Sequence, residues 1–451
     1  MGVNWERRQT RIDRVVHTTA YAGMVRRYRL AQGTPQTYGA ALQHRTARVL
    51  RSLGDRPTTL RVVSHDRLDP LDPEHGTWRI ALEGTGSFTV APGDMLYLMP
   101  RNSTQEVDAL LEQIQADGAQ AITILTAGSA YHPASYVSLS LREALRQHIN
   151  IEEASSKMLK HGGLAHMARH NAREIAAHKS YHRRAKSDEA HPQYRPYRVY
   201  LPSLINTLGQ RRQVDARALV ALQDRLHPRP YTMTGFTLLD ANRFRAEITV
   251  SQVDKIAHEP DGSTVARPGL ASSFLAALDP GAELAGWILP ELHHFPSTLG
   301  RTVPTIVVCT GSGISSLLSL LRTGYRGAPI WLIYGVRSWK RKHLYGPELE
   351  SYREDGAIER LDVAVSRPEV HEGPARRVQD LIWDERQNLA AWLRRGAEIY
   401  VCGRLSMGDG VRATLRHIFV DQGLCRNQEH AVTTLAEWEQ TLRFQASVSG
   451  V

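Results

Sequence analysis

Short runs in which hydrophobic and polar residues alternate occur in two separate stretches of the chain, and such alternation is typical of half-buried β-strands. The runs lie at residues 59–63, 78–82, 95–99, 231–235 and 246–253. Turns rich in aspartate, proline and glycine separate them, and Pro92-Gly93-Asp94 is one example. Short strands at this spacing indicate an antiparallel barrel.

The stretch between these two sets of strands has a helical period. From residue 104 onward, apolar residues recur at intervals of three and four, as they do on one face of an α-helix. These residues are Val107, Leu110, Leu111 and Ile114. The pattern stays mostly helical to about residue 226, with interruptions near 127–133 and 191–196. We therefore predict a mostly helical stretch between the two sets of strands.

The last third of the chain alternates strand-length and helix-length segments. β-rich runs lie at residues 305–309, 330–335, 360–365 and 398–403. This order predicts an α/β domain built on a parallel sheet. The expected fold class is therefore a multidomain protein that joins an antiparallel β-barrel to an α/β domain, and a length of 451 residues agrees with several domains.

Composition narrows the class of protein. Hydrophobic residues make up 42% of the chain and charged residues 23%, which is the balance of an ordinary globular protein. Three cysteines, none close to another in sequence, argue against a disulfide-stabilised secreted protein and against a structural zinc module. No apolar stretch approaches the roughly 20 residues of a membrane helix, and no signal peptide is recognised, so we expect a cytoplasmic protein.

Positive charge is concentrated at the start of the chain. Residues 1–56 hold eleven arginines and three acidic residues, which accounts for most of the formal net charge of +10. Such a basic arm can bind nucleic acid, an anionic membrane surface or an acidic protein, or it can pack on its own domain. No nucleic-acid-binding motif accompanies the charge, so we favour an acidic protein partner and expect no nucleic acid ligand.

A candidate phosphate-binding loop follows the first strand of the predicted α/β domain. An apolar run leads into Thr310, Gly311, Ser312 and Gly313 and then into a helix. Glycines let the backbone approach a pyrophosphate, and the amides of a helix N-terminus favour negative charge. The third glycine of the common dinucleotide fingerprint is missing, and a plain turn between strand and helix is the alternative.

Hydroxyl and basic side chains follow another strand of the same predicted sheet. Ser366 and Arg367 come at its end, and Arg376 and Arg377 follow shortly after. A hydroxyl beside a guanidinium at the carboxyl end of a strand suits a phosphate monoester, such as the extra phosphate of NADPH. The alternative is that these arginines are simply solvated at the surface.

Together with two further motifs, these features resemble the diflavin reductases, a family that includes the flavoprotein subunit of bacterial sulfite reductase and the microsomal NADPH–cytochrome reductase. The two motifs are Arg229-Pro230-Tyr231-Thr232 and Gly269-Leu270-Ala271-Ser272. Further matches follow in the family's order from about residue 59 to the C-terminus. Among them are Pro92-Gly93-Asp94, Tyr334-Gly335-Val336-Arg337, Val378-Gln379-Asp380 and Ile399-Tyr400-Val401-Cys402-Gly403.

The resemblance implies a ferredoxin–NADP reductase-like arrangement, with an FAD-binding barrel, a helical connecting insert and a parallel-sheet NADP-binding domain. The barrel is expected at residues 58–125 and 223–298, the insert at 126–222 and the NADP-binding domain at 299–451. A basic arm at residues 1–57 precedes them. The cofactors that the resemblance implies are FAD and NADPH.

The resemblance also implies roles for individual residues. Arg229 corresponds to the arginine that binds the FAD pyrophosphate, and Tyr231 to the aromatic residue that packs on the flavin. Thr232 and Cys402 are the expected catalytic residues, Thr232 beside the reactive flavin nitrogen and Cys402 beside the nicotinamide; a small buried hydrophobe is the alternative for Cys402. The FAD-binding residues expected are Arg229, Tyr231, Thr232, Thr249, Gly269, Leu270, Ala271 and Ser272. The NADP-binding residues expected are Thr310, Gly311, Ser312, Gly313, Arg337, Ser366, Arg367, Arg376, Arg377 and Gln379.

The sequence departs from the family at its C-terminus, before residue 59, and in the phosphate-binding loop, where both prolines of the family are lost. Ser447 and Ser449 stand where the family has an acidic residue and the aromatic residue that covers the flavin, which predicts weaker electrostatics around the hydride and less discrimination between NADPH and NADH. The chain also has no room before residue 59 for the family's FMN domain. Electrons are therefore expected to pass to a separate protein, either a flavodoxin-like FMN protein or a haem or iron–sulfur subunit, and the basic arm is a candidate docking face.

Five histidines cluster in the predicted insert, and two pairs of them are spaced i,i+4. They are His161, His166, His170, His178 and His182. Such pairs on one helix face can hold a transition metal. Several arginines and lysines lie among them and repel a cation, so we expect a solvated basic helix and no metal.

These observations lead us to expect an NADPH-dependent FAD reductase that delivers electrons to a separate redox protein. The alternative is a reductase-like subunit with little turnover that acts as an assembly or binding component. The altered C-terminal residues and the altered phosphate-binding loop favour that alternative. The retained Arg229, Tyr231, Thr232 and Cys402 favour the enzyme.

Overall fold

The computed structural model describes residues 57–71, 76–86, 90–125, 136–183, 197–208, 214–289, 303–338, 344–368 and 373–449. The basic arm at residues 1–56 lies outside the described residues, as do both predicted interruptions of the helical stretch. Within the described ranges, no helix combines the length and the apolar composition that crossing a membrane requires.

Three antiparallel strands open the described part of the chain. They are β1 (Thr58–Arg67), β2 (Thr77–Thr85) and β3 (Met95–Leu98). Leu60, Ile80 and Leu96 are fully buried in one apolar core, as the alternation in the sequence predicts for the inner face of a barrel.

The insert that follows has an apolar core of its own. Its elements are α1 (Thr104–Gln113), β4 (Ala121–Leu125), β5 (Tyr136–Ser140), α2 (Leu141–Gln147), α3 (Ser156–His161), α4 (Ala165–Arg183), α5 (Leu201–Leu208) and α6 (Ala216–Leu222). Val107 and Leu110 of α1 are buried in the same core as Leu145 of α2 and Leu204 of α5. We therefore propose that the insert begins near residue 104 rather than at the expected residue 126.

The stretch predicted to be mostly helical also contains β4 and β5, which form an antiparallel hairpin that was not predicted. Ile122, Thr123 and Ile124 are β-branched, and branching at Cβ favours a strand over a helix. A run of five residues is too short for its period to separate the two structures. Side-chain chemistry, rather than spacing, was the signal for this hairpin.

After the insert the chain returns to the barrel. The elements are β6 (Arg229–Leu238), β7 (Arg243–Ser251), β8 (Asp254–His258), β9 (Thr264–Pro268), α7 (Leu270–Ala276) and β10 (Glu283–Leu289). The barrel closes in the strand order β1-β10-β3-β6-β7-β2. The β8–β9 hairpin contacts the insert, because the Lys255 ammonium donates to the carboxylates of Glu152 and Glu153, each at 3.2 Å.

The rest of the described chain is an α/β domain. Its elements are β11 (Thr305–Thr310), a short 3-10 helix (Gly311–Ile314), α8 (Ser315–Leu321), β12 (Ile330–Val336), α9 (Gly346–Glu354), β13 (Arg360–Val365), α10 (Val378–Asp384), α11 (Arg386–Arg394), β14 (Glu398–Arg404), α12 (Leu405–Asp421), α13 (Gln428–Gln440) and β15 (Phe444–Ser449).

The strands of this domain form one parallel sheet in the order β13-β12-β11-β14-β15. Two apolar cores cover the two faces of the sheet, as the crossover helices of an α/β domain require. The four predicted strands are confirmed, and β15 was not predicted. The expected fold class, an antiparallel barrel followed by a parallel-sheet domain, is confirmed.

Candidate active site

Most of the predicted nucleotide-binding residues lie along one edge of the parallel sheet, where the carboxyl ends of its strands meet. β11 ends at Thr310, β12 ends just before Arg337, and β13 ends just before Ser366 and Arg367. Cys402 lies near the end of β14. The strand order places Cys402 and Ser366 three strand spacings apart, or about 14 Å, so the edge can contact an extended ligand.

The Gly-Ser-Gly loop lies in the middle of this edge and forms a 3-10 turn before α8 begins. Gly311 has a φ of 54°, in the left-handed region, and a Cβ there would meet no atom within 4 Å beyond its neighbours in the chain. Gly313 packs tightly instead, because a Cβ on it would lie 2.5 Å from the Cys402 carbonyl oxygen. The Tyr334 hydroxyl donates to the Gly311 carbonyl oxygen at 3.1 Å. The space beside Gly311 is therefore open to a ligand, and the loop is held in place by its contacts with Cys402 and Tyr334.

Main-chain hydrogen bonds bring the predicted phosphate-binding residues together at the end of β13. The Ser366 amide and hydroxyl both donate to the Val336 carbonyl oxygen, at 2.9 and 3.1 Å. The Arg376 amide donates to the Val365 carbonyl oxygen at 2.7 Å, so the chain returns to this strand end before α10. Ser366 and Arg376 are thus neighbours in the structure.

Two carboxylates oppose part of the positive charge at this end of the edge. The Arg376 guanidinium forms an ion pair with Asp384, and the Arg377 amide donates to the Asp380 carboxylate at 2.8 Å. Arg367 is exposed, and within the described part of the chain no carboxylate pairs with its guanidinium. The Arg367 guanidinium is therefore placed to bind an anion from solution.

Gln379 and Cys402 differ in their surroundings. Gln379 lies on α10 beside Gly410 of α12, where a Cβ on the glycine would be 3.4 Å from the glutamine amide. Cys402 is partly buried, and the strand register places Ser447 of β15 opposite it. Ser447 therefore stands next to the candidate catalytic cysteine, at the position where the family has a carboxylate.

Strand β6 carries the predicted flavin-binding residues at one end of the barrel. Its register with β3 pairs Arg229 with Leu98, Tyr231 with Leu96 and Thr232 with Met95. Because Leu96 belongs to the barrel core and neighbouring residues alternate between faces, Tyr231 packs on the core and Thr232 lies on the opposite face. Burial raises the pKa of the Tyr231 hydroxyl to about 12, so this group is neutral at physiological pH.

The predicted pyrophosphate-binding residues of α7 lie at the same end of the barrel as Arg229. The Gly269 amide donates to the Val253 carbonyl oxygen at 2.7 Å, which holds the start of α7 beside the end of β7. Since β6 and β7 are antiparallel, the end of β7 is next to the start of β6. The buried Ser272 hydroxyl donates to the Gly269 carbonyl oxygen at 3.0 Å, so first-turn amides such as that of Ala271, rather than this hydroxyl, remain for a ligand.

Arg322, which the sequence analysis did not identify, connects the α/β domain to the barrel. Its guanidinium donates two hydrogen bonds to the Glu348 carboxylate of α9, at 2.8 and 2.9 Å. It also donates to the Glu247 carboxylate of β7 at 3.0 Å and to the Thr234 carbonyl oxygen of β6 at 3.3 Å. From the sequence, a single arginine after an apolar helix is expected to be exposed to solvent. No local pattern therefore indicates these contacts.

Two further hydrogen bonds cross the same interface. The hydroxyls of Thr249 and Tyr345 lie 2.7 Å apart and are buried, and the Gly93 amide donates to the Ser319 hydroxyl at 2.8 Å. Thr249 was expected to bind FAD, and here its hydroxyl contacts Tyr345, so the cofactor role stays a prediction. Helix α8, which follows the Gly-Ser-Gly loop, packs along β6. The nucleotide edge and the Arg229 strand therefore border one interface.

The histidines of the insert form no metal-binding group within the described residues. His170 lies 3.9 Å from the Glu174 carboxylate and packs edge-on against the Tyr197 ring. No set of three or more histidine, cysteine, aspartate or glutamate side chains in the described ranges could hold a metal ion. The side chains of His178 and His182 lie outside the described residues.

Comparison with known proteins agrees with this geometry. Residues 307–413 match the family model of the oxidoreductase NAD-binding domain, a range that contains the Gly-Ser-Gly loop, Ser366 and Cys402. The NADPH sulfite reductase flavoprotein alpha-component of Vibrio cholerae is 28% identical over 401 residues, which cover 87% of this chain and 59% of that protein. This chain is related to sulfite reductase flavoprotein alpha-components.

Other flavoprotein alpha-components give the same relationship. That of Bacillus subtilis is 26% identical over 375 residues, which cover 82% of this chain and 57% of the relative. That of Klebsiella pneumoniae is 25% identical over 407 residues, which cover 87% of this chain and 61% of the relative. The chain spans about three-fifths of the length of these relatives. The resemblance drawn from the motifs is confirmed.

Proposed function

We propose that this chain is an NADPH-dependent, FAD-containing oxidoreductase that takes a hydride from NADPH and passes electrons to a separate redox protein. One observation carries the proposal: α8, which begins at the Gly-Ser-Gly loop, packs along β6, which holds Arg229, Tyr231 and Thr232. A nucleotide edge and a flavin-binding strand therefore border the same interface. The related flavoproteins and the matching NAD-binding domain support both cofactors.

The described residues fit both cofactors. At the barrel end, the Arg229 guanidinium donates one hydrogen bond, to the His227 carbonyl oxygen at 2.9 Å, and can donate others to a pyrophosphate. At the sheet edge, the open space in front of Gly311 admits a dinucleotide backbone. Ser366 and Arg367 offer a hydroxyl and a guanidinium to a terminal phosphate. The donor set is thus right for two phosphate-containing cofactors.

Each residue then has a simple task in the proposed reaction. FAD supplies a hydride acceptor that can release electrons one at a time. Arg229 and the first-turn amides of α7 hold the pyrophosphate, and Tyr231 provides a neutral aromatic surface. Thr232, on the outer face of β6, would donate a hydrogen bond to the flavin, and Cys402 would lie beside the nicotinamide. Because Ser447 is neutral, the site lacks the negative charge that a carboxylate would supply there.

The absorption spectrum of the purified chain tests this function directly. After reconstitution with FAD, the protein is expected to show a flavin band that bleaches when NADPH is added without oxygen. Ferricyanide should then restore the band. A chain that binds FAD but does not bleach, or that binds no FAD, would support instead a binding subunit with little turnover, which the neutral Ser447 favours.

Replacing Arg229 with alanine is expected to weaken FAD binding by about 2 kcal/mol, or roughly 30-fold, because a charge-assisted contact to the pyrophosphate is lost. Fluorescence titration of the apoprotein with FAD measures the change. Arg243→Ala is the matched control, since Arg243 is 61% exposed and pairs with Asp240 at the far end of the same strand pair. Equal affinities in the two variants would remove Arg229 from the cofactor site.

Changing Ser366 and Arg367 to alanine is expected to raise the KM for NADPH about tenfold and to leave that for NADH nearly unchanged, because only NADPH carries the extra phosphate. Steady-state kinetics with both nucleotides measure the effect. The control is Arg353→Ala, which removes an exposed arginine paired with Glu350 on α9. A parallel rise for NADH would show that these residues bind a part that the two nucleotides share.

We further propose that the electron acceptor is an acidic protein, either flavodoxin-like or a haem or iron–sulfur subunit, that docks on the basic arm in the cytoplasm. The charge of residues 1–56 supports this. The related proteins are named as one component of sulfite reductase.

Deleting residues 1–56 is expected to leave ferricyanide reduction intact and to slow reduction of an acidic flavodoxin severalfold, since ferricyanide needs no protein interface. The effect of the deletion on flavodoxin reduction should disappear as the salt concentration rises. The Debye length falls from about 10 Å at 0.1 M to about 3 Å at 1 M, so the charge of the arm is then screened. Melting curves control for folding. A parallel loss of both activities with a lower melting temperature would assign the arm a stabilising role instead.

A further inference from the structure

Two of the three cysteines lie opposite each other on neighbouring strands of the parallel sheet. Cys309 is in β11 and Cys402 is in β14, and the strand register pairs these two residues. Paired residues on neighbouring strands project from the same face, and such strands lie about 4.8 Å apart. That spacing falls within the range of roughly 4.4–6.8 Å between the Cα atoms of disulfide-bonded cysteines.

Packing confirms that both side chains lie on one face of the sheet. Cys309 is fully buried in the apolar core that also holds Tyr334, and Cys402 packs against the same core. Burial, and then the neighbouring Cys402, raise the pKa of the Cys309 thiol well above its usual range.

The two thiols differ in their access to solvent. Cys402 is partly buried near the carboxyl edge of the sheet, and its Sγ lies 3.4 Å from where a Cβ on Gly313 would stand. Cys309 is 0% exposed. An oxidant from solution reacts first with the more accessible thiol, which is that of Cys402. Cys309 is then the only other cysteine in position to react with it, because Cys425 lies in the core on the opposite face of the sheet.

We propose that Cys309 and Cys402 form a reversible intramolecular disulfide when the protein meets hydrogen peroxide. Peroxide transfers one oxygen to the Cys402 sulfur, which gives a sulfenic acid and one water. The Cys309 sulfur attacks that sulfur, so an S–S bond forms and the S–O bond breaks. The departing hydroxide takes the Cys309 proton and leaves as a second water. Two thiols are oxidised by two electrons in total, and one peroxide is reduced.

This bond would change the candidate active site. It would join β11 and β14 just behind the Gly-Ser-Gly loop and would turn the Cys402 sulfur away from the edge, toward the core. The loss of activity that follows from it rests on the proposed function, whereas formation of the bond does not. A dithiol reductant would reverse it by thiol–disulfide exchange. The competing interpretation is that both cysteines are only small hydrophobes in a core.

Thiol counting on the full chain tests the bond itself. After brief treatment of the native protein with a small excess of hydrogen peroxide, quenching and denaturation, the number of titratable thiols is expected to fall from three to one. Mass spectrometry should find a peptide pair that links Cys309 to Cys402 and separates on reduction. Modified Cys402 without a linked peptide, or thiol loss only through dimers on a non-reducing gel, would overturn the proposal.

Cysteine variants supply the controls. Cys425→Ala should fall from two thiols to none, because Cys425 is 4% exposed and contacts Thr434 away from the pair. Cys309→Ala and Cys402→Ala should each give no linked peptide, and melting curves will show whether either is folded. Each variant removes one member of the pair, so a single folded variant is sufficient as a control for the linked peptide. A linked peptide between Cys425 and either partner would contradict the assignment.

Activity after oxidation tests the consequence separately. Ferricyanide reduction by NADPH should fall at least fivefold in the oxidised wild type and recover with dithiothreitol, while Cys309→Ala should lose activity that the reductant restores only in part or not at all. If the chain has no such activity, the proposed function fails and the thiol count still decides the disulfide. If the bond forms and activity is unchanged, the bond is established and its effect on the site is disproved.

Discussion

Replacing Arg322 with alanine is expected to lower the free energy of unfolding by about 2–3 kcal/mol, because two carboxylates lose the cation that they share. The Glu348 and Glu247 side chains are only 30% and 32% exposed, so water restores their lost hydrogen bonds incompletely. Their partial exposure keeps the expected value below the roughly 3–5 kcal/mol found when a fully buried pair is broken. Urea denaturation followed by tryptophan fluorescence measures the change.

The ionisation of these groups gives the effect a pH dependence. Burial acts to lower the pKa of Arg322, but its hydrogen bonds to Glu348 and the two nearby carboxylates raise it overall. Burial acts to raise the pKa of Glu348, but Arg322 lowers it overall. A carboxylate whose pKa is lowered on folding stabilises the fold above its unfolded-state pKa and loses that contribution as pH falls through the folded value. The difference between wild type and Arg322→Ala should therefore shrink from neutral toward acidic pH.

Two variants separate this interface from an ordinary surface ion pair. Arg353→Ala should leave the free energy of unfolding nearly unchanged, since Arg353 is 48% exposed and pairs with Glu350 at i,i+3 on one helix. Arg322→Lys should recover part of the stability, because it keeps the charge but not the two-point contact with Glu348. Equal small losses for Arg322→Ala and Arg353→Ala would contradict an important role for Arg322 at the interface.

Replacing Gly313 with alanine is expected to lower the stability of the α/β domain by about 2–3 kcal/mol and to remove most NADPH-dependent reduction. The new Cβ would lie 2.5 Å from the Cys402 carbonyl oxygen and 3.0 Å from its carbonyl carbon. Both are main-chain atoms of β14, so no side chain can turn aside to make room. The loop must move away from the strand, and calorimetry together with a reductase assay measures both effects.

A matched pair of glycines separates damage to the fold from damage to the site. Gly311 and Gly356 have φ angles of 54° and 75°, and a Cβ on either would stand in open space. Alanine at each should therefore cost a similar 1–2 kcal/mol, roughly the left-handed penalty. Only Gly311→Ala should raise the KM for NADPH, because its methyl group enters the proposed pyrophosphate space. A similar KM in the two variants would remove Gly311 from the nucleotide site.

Local patterns in the sequence predicted the secondary structure where one period extends over a whole segment. The strands at Thr305–Thr310 and Ile330–Val336 are continuous apolar runs, and a parallel sheet buried on both faces requires such runs. The β4–β5 hairpin was missed because its strands are too short for a period to identify them. β15 was not predicted, although Phe444, Ala446 and Val448 alternate with polar residues as in a half-buried strand.

The candidate site was predictable to the extent that its residues lie in contiguous motifs. Thr310, Gly311, Ser312 and Gly313 follow one strand directly, and Ser366 with Arg367 follow another. Because parallel strands end at a common edge, the order of elements alone implied that these motifs meet. The sequence did not show that the Arg376 guanidinium pairs with Asp384. It also did not show that the Ser272 hydroxyl donates a hydrogen bond to the Gly269 carbonyl oxygen in its own helix turn.

The sequence by itself determined the strand and helix segments, the glycine loop and the family resemblance, because each depends on residues close together in the chain. Only the tertiary structure decided which distant residues meet. Arg322 and Glu247 are 75 positions apart, and their contact depends on how α8 packs against the barrel. Cys309 faces Cys402 because the register of β11 with β14 pairs them. Register and domain packing depend on how whole surfaces fit together, and no local period contains that information.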